Sequence, residues 1–255
     1  MSGGAALSEF FARVADIEED LELVSLAARL RPRLGGVLNF QAVGDELTLA
    51  LAFVAHKGER TEGIFGALLV RLLAAFERFI RRRIAERVVA QASGAKKYDD
   101  LPEQLRKRHL VLSGRALGML DYVPDHLSVD PEALLDGLAT CRAGATTFSL
   151  NSRAFEIAVS GPTPEGVTKA LESVGVEGWT DKVGALPSVA AAVETKATKV
   201  RETAKKVEER LRQLSRWRNN LAHAGDAEIT VDEDLLRKQL TFLRALGEAI
   251  DTLCR

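Results

Sequence analysis

The sequence predicts an all-α fold of helices packed on helices. Apolar residues recur at steps of three and four over most of the chain, alternating strand patterns are scarce, and recognisable caps stand where the periodic runs begin. With 255 residues, 46% of them hydrophobic, 28% charged and seven prolines, the chain has a globular composition and can bury a sizeable core.

Taken in order, the first expected helix is "SEFFARVADIEEDLELVSLAARL", with Ser8 as its cap. "RPRLGGVLNFQAVGD" carries Pro32 and a glycine pair and reads as a turn or loop. A helix over 45–57 is expected next, then a stronger one over 60–91 that breaks at "QASGAKKYDD". "DLPEQLRKRHLVLSGRALGML" and "DPEALLDGLATCR" fit shorter helices. Residues 143–187 hold most of the punctuation and one clean helix, "TPEGVTKALESVG", with Thr163 as cap and Pro164 in its first position. A long helix over 188–224 and a last one from Asp232 complete the chain, which shows no internal repeat.

Several function classes lose support at once. Cys141 and Cys254 are far apart and in no metal-ligand spacing, so they read as reduced thiols of a cytosolic protein. The start, "MSGGAALSEFF", lacks the basic and apolar regions of a signal peptide. The most apolar run, "IFGALLVRLLAAF", is cut by Arg71 and too short for a bilayer, so a soluble, cytoplasmic chain with no membrane partner is expected. No cluster of Asp, Glu and His stands at ligand spacing, which disfavours a metal-dependent nuclease and assigns no metal or cofactor. A Gly-Lys-Ser/Thr phosphate loop is missing as well. The net charge of -1 hides a segregation: residues 71–115 hold 12 Lys/Arg against 5 Asp/Glu and residues 194–218 hold 9 against 4, while residues 1–30 hold 2 against 6. The basic stretches "RFIRRRIAER" and "KATKVRETAKK" suit phosphates if they share a surface, and are otherwise solvated faces.

The informative stretch is "RWRNNLAHAG", 216–225. The apolar stripe of the long helix runs Val200, Ala204, Val207, Leu211, Leu214, then Arg218, then Leu221, in alternating steps of four and three. Arg218 therefore takes a seam position, where a guanidinium needs an acidic partner, a ligand or a wet cleft. Asn219 and His223 share a neighbouring face four residues apart. With Gly225 as C-terminal cap, His223 falls in the last turn, where the helix dipole favours imidazolium.

At these residues the sequence resembles the HEPN superfamily, whose mark is Arg, a polar residue, and His near the end of a helix. Arg218, Asn219 and His223 match it with four residues between Arg and His. "ALLVRLLAAFERFIRRRI" is similar to the family's earlier core helix, with Glu77 amid apolar residues, and "TPEGVTKALESVGV" leading into a long helix resembles the RiboL-PSP branch of bacterial conflict genes. The resemblance implies a HEPN-like helical bundle over 45–255, with an N-terminal helical extension over 1–44 and inserted helices. It also implies a metal-independent endoribonuclease working as a homodimer across one composite cleft, without cofactor, as a toxin or antiphage effector beside an antitoxin or defence partner. His223 then serves as general base or acid at the ribose 2′-OH and leaving oxygen, Arg218 stabilises the transferring phosphate, and Asn219 supports. Glu77 is either the inward partner of Arg218 or a surface partner of Arg81 four residues on. Arg78, Arg81, Arg82 and Arg216 are the expected RNA contacts. Trp217 either stacks on a base or packs in a core or interface, and His56, His109 and His126 fall in no constellation and read as structural or exposed. An inactive helical module that dimerises or binds nucleic acid or protein is the alternative.

Overall fold

A computed structural model describes residues 4–34, 61–120, 129–223 and 230–255, with backbone alone at 27–34, 61–62 and 222–223. Among the described residues there are ten α-helices and no strand. They are α1 (Ala5–Leu34), α2 (Thr61–Gly94), α3 (Glu103–Leu117), α4 (Pro131–Thr140), α5 (Ser152–Ala158), α6 (Pro164–Ser173), α7 (Trp179–Gly184), α8 (Pro187–Ala192), α9 (Val200–His223) and α10 (Glu233–Leu253).

Local chemistry sets the starts of three helices. Asp130, Thr163 and Asp232 each cap a helix by accepting from a backbone N–H, of Glu132 at 2.9 Å, Gly166 at 2.9 Å and Leu235 at 2.7 Å. Pro131 and Pro164 occupy first positions, where their missing N–H is no loss. Each such cap is worth about 1 kcal/mol.

The centre of the fold is α2, against which α1, α5, α9 and α10 pack. Its buried residues, from Phe65 through Phe76 and Ile80 to Val88, cover more than one stripe because it has neighbours on several sides. On α1, Phe10, Val14, Ile17 and Leu21 form a narrower buried stripe with steps of four, three and four. Phe10 stacks on Phe79 with ring centroids 5.1 Å apart and tilts against Phe76 at 5.9 Å. Gly247 of α10 makes room for it: a Cβ there would stand 2.8 Å from the Phe10 ring.

Both edges of α1 are acidic, and both meet arginines. Glu9 and Asp20 precede the core residues of the stripe by one position and pair with α2, Asp20 lying 2.5 Å from Arg71. Glu18 and Glu22 reach Arg244 and Arg237 of α10 at 2.9 and 2.7 Å. The acidic bias of residues 1–30 is thus the complement of the basic helices on which α1 lies.

Four expectations about elements need correction. Ser8 does not cap the first helix, which begins at Ala5; Ser8 lies inside its first turn, its N–H and hydroxyl both donating to Gly4 O, at 3.2 and 3.4 Å. The long helix expected over 188–224 is two helices, because Thr195 folds back and both its N–H and its hydroxyl donate to Ala190 O, at 2.8 and 3.2 Å, ending α8. Glu194 takes a left-handed φ of 56° at that break, and Thr195 Oγ1 lies 2.7 Å from Thr203 Oγ1 of α9. The first helix does not stop before Pro32 but runs through it to Leu34, so the proline falls in its last turn. Helices α5 and α7 lie in a stretch read mostly as punctuation; at seven and six residues they are too short to show a period. The helix expected over 45–57 lies outside the described residues, as do His56, His126 and Gly225.

Candidate active-site cleft

The apolar seam of α9 behaves as its spacing predicts. Ala204, Val207, Leu211 and Leu214 are buried, Leu221 is half-buried, and Trp217 is partly buried against the core. Leu221 comes within 3.1 Å of the place where a side chain on Gly66 would begin, so glycine lets the end of α9 close on the start of α2. Arg218 then projects from the seam into an opening rather than into apolar packing.

That opening is a cleft of about 540 Å³ between α1, α2, α5 and the end of α9. Seven arginines line it against three carboxylates, Asp16, Glu77 and Glu156, so the cleft favours anions. At its inner wall Glu77 holds two guanidiniums. Arg218 Nη1 donates to Glu77 Oε2 at 3.1 Å, and Arg81 Nη2 donates to Oε1 at 2.7 Å. Glu77 therefore pairs with both candidate partners, the Arg81 pair being mostly covered rather than at the surface, and Arg81 also donates to Glu156 O of α5 at 3.0 Å. Glu77 and Arg81 are mostly covered, whereas the Arg218 side chain keeps 38% of its surface exposed. A guanidinium fixed on one edge and open on the other is suited to a phosphate oxygen.

Arg78 and Arg82 line the same cleft from the adjoining face of α2, while Arg216 does not. Arg216 is exposed on another face and, with Lys206, Arg210 and Arg212, lines a separate groove of about 530 Å³. Asn219 is exposed. His223 is the last residue of α9, and its side chain lies outside the described residues. Among the described residues no group of three or more His, Cys, Asp or Glu is placed to hold a metal ion, and no helix is long and apolar enough to cross a membrane.

Sequence reasoning missed Arg13, Asp16, Arg71, Arg153 and Glu156 as cleft residues. Arg153 and Glu156, which pair with each other, ride on α5, and α5 is placed by a buried histidine. The Asn151 N–H, just before α5, donates to His109 Nε2 at 3.0 Å, and the Asn151 amide donates to Ser113 Oγ and Leu134 O, both at 2.9 Å. His109 is 1% exposed, and burial lowers its pKa to about 4, so the imidazole is neutral and accepts. Both cysteines are free; burial pushes the Cys254 thiol up to about 11, which leaves it an inert core residue.

Neither a curated protein nor a solved structure matches the chain. The RiboL-PSP-HEPN family model matches residues 52–255, from before α2 through α10, with Glu77, Arg218 and His223 inside the match and α1 outside it. The chain belongs to the RiboL-PSP-HEPN family.

Proposed function

We propose that the protein is a metal-independent endoribonuclease of the HEPN type, acting as a toxin or antiphage effector through Arg218 and His223. One observation carries the reading: Arg218 is held by Glu77 at the wall of an arginine-rich cleft, five residues before the histidine that ends its helix. HEPN domains are often ribonucleases, which agrees with it.

In the mechanism, the phosphodiester lies in the cleft with a non-bridging oxygen on the open edge of Arg218. His223 takes the proton of the ribose 2′-OH, whose oxygen attacks the adjacent phosphorus; the bond to the 5′-oxygen breaks, that oxygen takes a proton from water, the hydroxide so formed takes back the proton from His223, and a 2′,3′-cyclic phosphate remains. Arg218 stabilises the charge that grows on the phosphate. Glu77 is a positioning residue that keeps the guanidinium turned into the cleft, and Asn219 supports the His223 end of the helix. In the homodimer, the α9 ends of two protomers meet so that each supplies one side of a shared site.

The test is cleavage of labelled RNA and DNA in excess EDTA, with product ends identified. RNA is cut to cyclic or 3′-phosphate ends, DNA is not cut, and His223→Ala or Arg218→Met lowers the rate by about 10²–10⁴-fold. Activity lost to the chelator and restored by Mg²⁺ removes the metal-independent route. An active Arg218→Met protein favours the inactive-module alternative, with the cutting due to a contaminant. Sedimentation of a fully active monomer removes the shared site.

A further inference from the structure

The geometry points to a second phosphate subsite, built by Arg13, Arg78 and Arg82 around Glu9, through which α1 extends the RNA groove beyond Arg218. This rests on the reading of the cleft as an RNA site, and names a part of it that lies partly outside the family match.

All three arginines line the cleft, whereas Glu9 stands beside it among Phe10 and Phe79. Glu9 gathers them: Arg13 Nη2 lies 3.1 Å and Arg78 Nε 2.9 Å from Oε1, and Arg82 Nη1 contacts Oε2. One carboxylate among three guanidiniums leaves an excess of two positive charges. Each guanidinium has five N–H donors, and Glu9 engages two nitrogens of Arg13 and one each of Arg78 and Arg82. The side chains remain about half exposed, so donors are left on the cleft side.

The arrangement also resists the simpler view that these are solvated surface charges. Arginines 78 and 82 repeat at four residues on α2 and would repel each other there without an anion. Glu9 from α1 relieves that repulsion and orients the forks without neutralising them. A phosphodiester oxygen meets the same need from the cleft side, with charge-assisted hydrogen bonds. Because Glu77 and Arg81 occupy the next face of α2, the subsite is continuous with the Arg218 wall. A strand whose scissile phosphate sits on Arg218 would then run along α2 and place a flanking phosphate against α1.

The experiment measures binding of a mixed-sequence 2′-O-methyl RNA, which has no nucleophile to be cut, against salt concentration. Arg13→Gln is expected to weaken binding several-fold and to reduce the slope of log K against log salt by about 0.7, one single-strand phosphate contact. Arg78→Gln and Arg82→Gln should do the same, and Arg13→Lys should keep the slope. With cleavable RNA, Arg13→Gln raises KM and leaves kcat near that of the wild type, the pattern of lost uniform binding. Arg244→Gln removes the same charge from a pair with Glu18 that does not line the cleft, and should leave the slope unchanged. A wild-type slope in Arg13→Gln, or an equal drop in Arg244→Gln, overturns the subsite while leaving the nuclease standing. Wild-type protein that binds this RNA without cutting its cleavable form removes the nuclease and keeps the subsite. Wild-type protein that binds no RNA removes both.

Discussion

Two carboxylates in this protein each hold two arginines, and they do different things. Glu77 takes Arg81 and Arg218 at the cleft, and Asp251 takes Arg83 and Arg255 beside the start of α1. Asp251 is fully buried and the Arg83 side chain keeps 8% of its surface; Glu77 keeps 15% and Arg218 keeps 38%. Around Asp251 it is Arg83 that is enclosed, while the Arg255 side chain keeps 42% of its surface exposed. Arg83 also reaches Glu86, whose other oxygen accepts from the Ala6 N–H at 2.7 Å. A side chain on Gly4 would fall 2.7 Å from Glu86, so the start of α1 is sealed onto the cluster. Each carboxylate thus has one half-open arginine, Arg255 at 42% and Arg218 at 38%, and the difference lies elsewhere: Asp251 is sealed in the core with Arg83, whereas Glu77 stands at the wall of a cleft into which Arg218 projects.

The largest expected effect tests the closed member. Asp251→Asn takes from buried Arg83 the nearer of its two carboxylates, leaving Glu86 at 3.3 Å, and is expected to lower stability by about 3–4 kcal/mol, read from denaturant melts. A loss under about 1 kcal/mol would mean that Asp251 is not what seals α1, and the contrast with Glu77 would fail. Next in size is an acid effect that fixes the conditions for the comparison. The folded-state pKa of His109, near 4, is below the unfolded value of 6.5. The stabilisation it gives is complete above pH 6.5, is lost as pH falls from 6.5 towards 4, and amounts to roughly 3 kcal/mol. Imidazole NMR signals that keep His109 neutral down to about pH 4 confirm it, and titration near 6.5 refutes it. The smallest effect tests the open member. Because Arg218 is partly solvated, the Glu77→Gln, Arg218→Met double-mutant cycle should give a coupling of about 1 kcal/mol. Strict additivity would separate the two residues. In cleavage assays the same variants should diverge further, Glu77→Gln weakening the reaction and Arg218→Met abolishing it.

What was legible in the sequence follows from how local each signal is. The α9 seam could be read because a helix writes its buried face at fixed steps, and a charged residue on that face stands out. The Thr163 cap was readable for the same reason, since it acts within three positions of itself, whereas Ser8 offers the same hydroxyl but sits inside a helix that begins three residues earlier. The meeting of Glu77 with Arg218, 141 residues apart, was open between two partners, because Arg81 offers the same charge four residues away and the carboxylate has an oxygen for each. Arg13 was out of reach. Within an acidic helix it looks like a minority charge, and its place in the cleft depends on the register between α1 and α2. Arg153 and Glu156 were hidden for a further reason: α5 is held from outside itself, by the bonds of Asn151 to His109, Ser113 and Leu134 and of Arg81 to Glu156 O, and none of these has a sequence signature.

The Phe10 contact bears on how this branch of the family can vary. Phe10 sits on Phe79 and Phe76 and fills the space left open at Gly247, while one position away on the same helix Glu9 gathers the arginines of the cleft. Helix α1, outside the family match, therefore carries part of the hydrophobic interior and part of the charged groove on one strip of chain. A relative without it would have to cover or replace two phenylalanines and would no longer need glycine at position 247. Its arginines at 78 and 82 would lack the carboxylate that gathers them. Aromatic residues at 76 and 79, glycine at 247 and an acid one residue before an aromatic in a preceding helix should thus come and go together among relatives.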